Sequence, residues 1–299
     1  MAVKSWISAM RLRTLPLAAS CVFTGSAMAK LHGKFELNVF LLTLLTTLLL
    51  QVLSNLANDY GDSVSEVDNE KRVGPQRAVQ SGAISQGSMK IGVILFAIFS
   101  FASGVWLLVE AFGSALSSKL LLFLLLGIAA IGAAIKYTVG KSPYGYRGLG
   151  VLFVFLFFGL VGVVGTYFLH TFKINWTTVL PAATVGFFSA AVLNMNNMRD
   201  HENDRQSGKH TIVVKMGFET ARWYQSGLVI LGWLSAVAFG LLEFSEWSQW
   251  IFILPIVIFA FHLKTVWTEK TPAKLDPELK KIALGTFAFS LLLFTGMWV

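Results

Sequence analysis

The chain of 299 residues has a single cysteine, Cys21. That excludes an internal disulfide and a cysteine-based metal site. Charge is scarce as well: 13% of residues are Asp, Glu, Lys or Arg, where a soluble domain carries about 25%. The five histidines, His32, His170, His201, His210 and His262, show no metal-ligand spacing. Gly140-Lys141-Ser142 hints at a phosphate-binding P-loop. The first glycine of G-x-x-x-x-G-K-S/T would fall on Ile135, so that motif is excluded too. No long linker or low-complexity segment interrupts the chain.

The chain has an abundance of apolar residues, 55% in all. They come in runs of roughly 17–25 residues, the length that crosses a bilayer. Nine spans are readable, at about 15–31, 37–58, 90–110, 119–138, 150–170, 177–197, 223–243, 248–268 and 281–299. The expected fold is all-α, a polytopic membrane helix bundle forming one domain over 1–299. The net charge of +8 invites a nucleic-acid reading. However, the basic residues lie in short loops. With alternating loops, all Lys and Arg except Lys30, Lys34, Lys119 and Lys173 fall on the side of the N-terminus. By the positive-inside rule that side is cytoplasmic, and no nucleic-acid partner is expected. Ala27-Met28-Ala29 has the form of a leader cleavage site. Small residues are common in a retained first membrane helix, and the retained helix is the expectation.

Half of the 16 acidic residues fall in 59–70 and 200–204. The first cluster is NLANDYGDSVSEVD, from Asn55. The second is NMNNMRDHEND, from Asn194. Asn55/Asp59, Asn58/Asp62 and Asp200/Asp204 are i,i+4 pairs, so on a helix each pair shares a face. Asn and Asp also mark ordinary helix ends. Two matched clusters on one side of the membrane argue for a shared site instead. Their oxygens suit Mg²⁺ bridging to phosphate. Arg72, Arg77, Arg205 and Lys209 lie within a few residues and could take the remaining phosphate oxygens. A coarse internal symmetry relates the clusters, as if a four-helix unit were duplicated and a ninth helix added. Between them runs YTVGKSPYGYRGLG, a short turn with Tyr137, Lys141 and Arg147. In the fifth span, Gly159, Gly162 and Gly165 are read as packing positions.

These three stretches, with Arg11-Leu12-Arg13-Thr14-Leu15-Pro16 before them, resemble the UbiA superfamily of membrane prenyltransferases. The likeness is greater to the branch that prenylates 1,4-dihydroxy-2-naphthoate in menaquinone biosynthesis. The resemblance implies nine transmembrane helices around a central cavity, holding Mg²⁺ and a polyprenyl diphosphate. It places Asn58, Asp62 and Asp68 on metal or diphosphate positions, with Asp59 close by. It does the same for Asn197, Asp200 and Asp204, with Asn196 a weaker match. Asp62, Asp68, Asp200 and Asp204 are the expected catalytic carboxylates. The branch carries an acid directly after the GLG of the middle stretch. Here Val151 follows Gly148-Leu149-Gly150, and it is expected at the cavity mouth beside the acceptor. Another acceptor such as 4-hydroxybenzoate, or a transporter, is the competing reading. Transporters place charge nearer mid-membrane than this chain does.

Overall fold

A computed structural model describes residues 2–65, 76–113 and 117–298. Asp68 and Arg72 lie outside the described residues. The elements are helical throughout that range. They begin with α1 (Ala2–Met10), α2 (Leu15–Leu31), α3 (Leu37–Val64), α4 (Gln86–Phe112) and α5 (Ser118–Lys136). The fifth span, Gly150–Thr171, has three parts: α6 (Gly150–Val154), a π-helical stretch over Phe155–Val164 and α7 (Gly165–Thr171). Then follow α8 (Val179–Gln206), α9 (Ile212–Met216), α10 (Phe218–Glu243), α11 (Ile256–Thr268) and α12 (Asp276–Gly296).

Eight described segments are long and apolar enough to cross a membrane. α2, the first of the nine expected spans, falls just short of that length, with 17 residues, about 25 Å at 1.5 Å per residue. It is an inner helix. Ala27, Met28 and Ala29 are fully buried in it. Gly25 lies so close to the fifth span that a Cβ there would stand 2.5 Å from the Val163 carbonyl oxygen. Small residues are therefore required here by packing. Thr24 Oγ1 donates to Ser290 Oγ at 3.0 Å and ties α2 to α12.

Caps set several helix starts. Ser85 accepts from Ser88 N, Ser117 from Leu120 N and Thr211 from Val214 N. Each satisfies a backbone donor that a first turn leaves free. Two helix ends differ from the sequence reading. α3 continues to Val64 rather than 58, and α8 to Gln206 rather than 197. Asn55–Asp62 and Asn194–Asp204 thus lie in the last helical turns. The i,i+4 spacing of their Asn and Asp favours this, and cations from within the clusters and from elsewhere pair with the carboxylates.

Glycine packing holds at two of the three positions in the fifth span. A Cβ on Gly159 would meet Ala182 O at 2.6 Å, and one on Gly162 would meet Cys21 Cβ at 2.8 Å. Gly165 has only an ordinary contact, with Phe123 at 3.8 Å. π-helical stretches occur mostly as short bulges, often at functional sites. This one faces a central cavity of about 1330 Å³. The cavity runs along α3 from Asp62 to Thr43, about 28 Å of helix at 1.5 Å per residue.

Candidate functional site

The last turns of α3 and α8 meet at one end of that cavity. Asp59 is buried on α3 and receives two arginines. Arg77 Nη1 is 2.5 Å from Asp59 Oδ1, and Arg11 pairs with the same oxygen. Arg77 also reaches Asp62 Oδ2 through Nη2 at 3.3 Å. Tyr146 Oη donates to the other oxygen of Asp62 at 2.6 Å. Asn58 Oδ1 accepts from Thr138 Oγ1 at 3.2 Å. Gly61 makes this approach possible. A Cβ there would stand 2.6 Å from Thr138 Oγ1.

Arg11 occupies a strained position. Its φ of 50° and ψ of 57° lie in the left-handed region, uncommon for a residue other than glycine. Arg11 N donates to Ser8 O at 3.1 Å, and Arg11 O accepts from Thr14 N at 2.8 Å. With the Asp59 pair, these contacts hold the corner between α1 and α2. Such strain concentrates at functional sites.

On α8, Arg199 takes Asp200 with Nε and Nη2, and reaches Asp276 Oδ1 with Nη1 at 2.5 Å. Its Nη2 also donates to Asn196 Oδ1 at 2.9 Å. Asp276 opens α12 and lines the cavity. Lys209 Nζ stands 4.0 Å from Asp204 Oδ1 and 5.2 Å from the centre of the Tyr146 ring. Burial alone would lower the Lys209 pKa. Asp62 and Asp204 outweigh it, so the pKa is raised and the ammonium stays charged. Tyr137 lies beside this group. Burial raises its phenol pKa, with Lys209 opposing and Asp62 and Asp204 adding. One lysine thus answers to a carboxylate of each acidic turn, and the two turns face one another.

The expected residues divide. Asn58, Asp59, Asp62, Arg77, Tyr137 and Lys209 line the cavity. Asp200 and Asp204 are buried behind it, joined to lining cations. Asn197 is buried on the same turn without lining the cavity. Lys141, Arg147 and Arg205 are exposed and do not line it. Lys141 and Arg147 are on the outer side of the 140–148 turn, and Arg205 pairs with Glu202 at 3.0 Å on the outer face of α8.

Val151 corrects an expectation. It is buried in the apolar core rather than at the cavity mouth. Gly150, Phe153, Val154 and Phe157 line the cavity, and Val151 does not. His201 is spent within its own helix, with Nδ1 2.9 Å from Met198 O.

Five participants escaped the sequence reading, Asp276 among them. Arg11 stood in a noted motif without a role, and Arg199 was counted only as a topology cation although it precedes Asp200. Tyr146 and Thr138 flank the residues singled out in the middle stretch.

The donor set suits a hard divalent cation: carboxylate and amide oxygens, with no sulfur or imidazole. Asn203 Oδ1, between Asp200 and Asp204, is buried without a hydrogen-bond partner. Among the described residues no three acidic, His or Cys side chains already converge on one point. Arg11, Arg77, Arg199 and Lys209 hold the carboxylates instead.

Below the polar end the wall becomes aromatic. Tyr144 stacks on Phe153 with centroids 4.2 Å apart, and Phe153 on Phe157 at 6.2 Å. The arrangement suits a diphosphate at one end and a long apolar chain at the other.

The comparisons with known proteins agree with this geometry. The chain is 42% identical over 299 residues to a 1,4-dihydroxy-2-naphthoate octaprenyltransferase of Haemophilus influenzae, covering 99% of this chain and 96% of that protein. It is 38% identical over 296 residues to the Escherichia coli protein of the same name, with 99% and 96% covered. In fold it is similar to a UbiA homolog from Aeropyrum pernix. The TM-score is 0.71 at 16% identity, with 96% of this chain and 98% of that one covered. A UbiA homolog from Archaeoglobus fulgidus bound to GPP and Mg²⁺ gives 0.65 at 19% identity, with 97% and 100% covered. Residues 18–298 match the UbiA prenyltransferase family, and the chain belongs to that family.

Proposed function

We propose that this protein transfers a polyprenyl group from polyprenyl diphosphate to 1,4-dihydroxy-2-naphthoate, giving demethylmenaquinol. The observation that carries the reading is the meeting of two acidic helix ends, laced with cations, over an apolar aromatic cavity. The relatives named above supply the acceptor, and the homolog holding GPP and Mg²⁺ supplies the likeness in ligand. The whole chain, 1–299, acts as one membrane domain.

Asn58, Asp59, Asp62, Asn197, Asp200 and Asp204 would hold Mg²⁺, together with Asp68. Bound there, the metal supplies Lewis-acid neutralisation of the leaving diphosphate. Arg77, Arg11, Arg199 and Lys209 place fixed positive charge where negative charge grows as the allylic C–O bond breaks. Tyr144, Phe153 and Phe157 offer ring faces to the allylic cation. The apolar wall keeps water from quenching it. The electron-rich ring then forms the new C–C bond. Demethylmenaquinol has no carboxylate, so the net reaction releases CO₂ and no side chain has to remove a net ring proton. A buried Val151 is compatible with that balance.

The protein lies in the cytoplasmic membrane with its N-terminus and acidic helix ends inside. The uneven distribution of Lys and Arg supports this orientation.

The test is prenyl transfer by purified protein, with labelled prenyl diphosphate and either 1,4-dihydroxy-2-naphthoate or 4-hydroxybenzoate. Product should form with the naphthoate only, disappear with EDTA and return with Mg²⁺. Asp62→Asn should lower kcat/KM by roughly 10²-fold or more. Turnover that EDTA and Asp62→Asn both leave intact would sink the site; product from the benzoate alone would sink the acceptor.

A further inference from the structure

Behind the second acidic turn lies a chain of buried polar groups that the reaction does not use. Asn194 on α8, Gln225 on α10, His262 on α11 and Glu278 on α12 are each at most 2% exposed, and none of them lines the cavity. Asn194 Nδ2 donates to Gln225 Oε1 at 2.8 Å. Gln225 Nε2 lies 3.1 Å from His262 Nε2, and His262 Nδ1 lies 2.8 Å from Glu278 Oε2. Lys281 Nζ, on the exposed side of α12, meets the other oxygen of Glu278 at 2.5 Å. Ionisable groups buried at membrane depth are costly, and they are kept where they serve a function.

The sense of every bond in the chain follows from one carbonyl. Asn194 Nδ2 is 3.2 Å from Ala221 O, which can only accept, so the amide nitrogen faces that way. Gln225 therefore turns its oxygen to Asn194 and its NH₂ group to His262. His262 Nε2 must then be a bare acceptor, and the ring proton sits on Nδ1, donating to Glu278. Lys281 supplies the cation that Glu278 needs, and the ring stays neutral.

The chain closes a ring of four helices. Asp276, two residues before Glu278, receives Arg199, and Arg199 also holds Asn196, two residues after Asn194. Two residues turn a helix by about 200°. Asn196, Arg199 and Asp276 line the cavity, while Asn194 and Glu278 lie on the backs of the same turns. Adhesion between helices does not account for the chain. Arg222 Nη2 to Glu269 O at 2.6 Å and Trp267 Nε1 to Ser226 Oγ at 3.1 Å already join α10 to the end of α11. Thr184 Oγ1 to Gly232 O at 3.1 Å already joins α8 to α10.

We propose that His262, held as the neutral Nδ1–H tautomer between Gln225 and Glu278, is a positioning residue for the second acidic turn. It sets the seat of Asp276 and of the last turns of α8, and through them the grip on a magnesium-bound prenyl diphosphate. Asp276 and Glu278 share the first turn of α12, so a displacement of one moves the other. Asp276 is in turn a partner of the arginine that holds Asp200. The identity of the ligand rests on the prenyl-transfer reading.

The experiment uses full-length protein in lipid nanodiscs, with histidine labelled by nitrogen-15. In the spectrum of the parent, His262 should show a protonated Nδ1 and a bare Nε2, assigned by their loss in His262→Asn. Adding Mg²⁺ with geranyl thiodiphosphate, a slowly ionising analogue, should shift both signals, although the ring does not line the cavity. A protonated Nε2, or signals that the ligand leaves unmoved, would overturn the proposal.

A second measurement is the equilibrium affinity for the same analogue with Mg²⁺. His262→Leu removes both ring bonds and should weaken binding about tenfold, the lower end of what outer partners of a metal site cost. His262→Asn keeps an N–H donor for Glu278 and should recover most of the loss. In turnover, His262→Leu should raise KM for prenyl diphosphate and leave KM for the acceptor within about twofold. A His262→Leu protein that melts earlier but binds with parental affinity would reduce the chain to packing and overturn the positioning role. The spectrum of the parent decides the matter even where His262→Leu does not fold. A parent protein that binds the analogue and transfers no prenyl group would overturn the prenyl-transfer reading and leave the positioning role standing.

Discussion

Arg199 grips Asp200 along two parallel hydrogen bonds, Nε to Oδ1 at 2.8 Å and Nη2 to Oδ2 at 2.5 Å. Both side chains are almost wholly buried, and the fork matches the carboxylate edge to edge. Removing the guanidinium leaves a buried carboxylate unpaired, a change that costs about 3–5 kcal/mol. Arg199→Ala should therefore lower thermal stability in detergent as well as activity. Arg199→Lys keeps the charge without the fork and should fall between. Equal melting temperatures for all three proteins would refute the buried-pair account.

Lys209 gives a pH dependence with a definite sign. Its pKa is raised in the folded protein, because Asp62 and Asp204 outweigh the burial that pulls it down. A lysine of this kind contributes fully below its ordinary value of 10.5 and loses that contribution only as pH rises through the higher folded value. Prenyl-diphosphate affinity should thus show no Lys209-dependent decline between neutral pH and 10. The check compares the affinity-versus-pH curves of the parent and Lys209→Met. A parent curve that falls near pH 8, and flattens in the variant, would contradict the assignment.

Gly61 is required by sterics rather than by backbone freedom. Its missing Cβ leaves room for Thr138, which donates to Ala57 O at 3.0 Å and to Asn58 Oδ1. Gly61→Ala should overpack the contact by about 1–3 kcal/mol. It should also turn Asn58 away from the cavity. Unfolding and kinetic measurements together decide this: a variant with parental stability and parental KM for prenyl diphosphate would show that the contact is dispensable.

Orientation can be read with thiol chemistry. Cys21→Ala removes the native thiol, which is buried. In that background a cysteine at Ser81 should resist an impermeant reagent in intact cells, and one at Glu246 should react. Both positions are exposed, so access alone is measured. The reverse pattern would invert the bundle.

Much of this was legible because bilayer physics writes long apolar runs, and because oxygen ligands in i,i+4 pairs are conspicuous among them. Asp59, Asp62, Asp200 and Asp204 stand out for that reason. Arg199 did not, since a lysine or arginine at a membrane edge is already explained by topology. Asp276 carried no local signal: its meaning comes from α12 being brought against α8. Val151 was misplaced because α6 packs on α8 and takes Val151 into the apolar core, a tertiary contact with no local signal beyond the turn at Gly148, where φ is +83°. Lys141 and Arg147 had the right chemistry on the wrong side of that turn.

The cations at the acidic ends bear on ligand choice. Among the described residues, five carboxylates, Asp59, Asp62, Asp200, Asp204 and Asp276, are met by four cations, Arg11, Arg77, Arg199 and Lys209. A phosphorylated ligand therefore enters as a competitor, displacing carboxylates from guanidinium groups that already have partners. A singly phosphorylated prenol brings fewer oxygens to that exchange than a diphosphate does. Discrimination between the two is thus built into the resting ion pairs, before the isoprenoid chain is sensed at all.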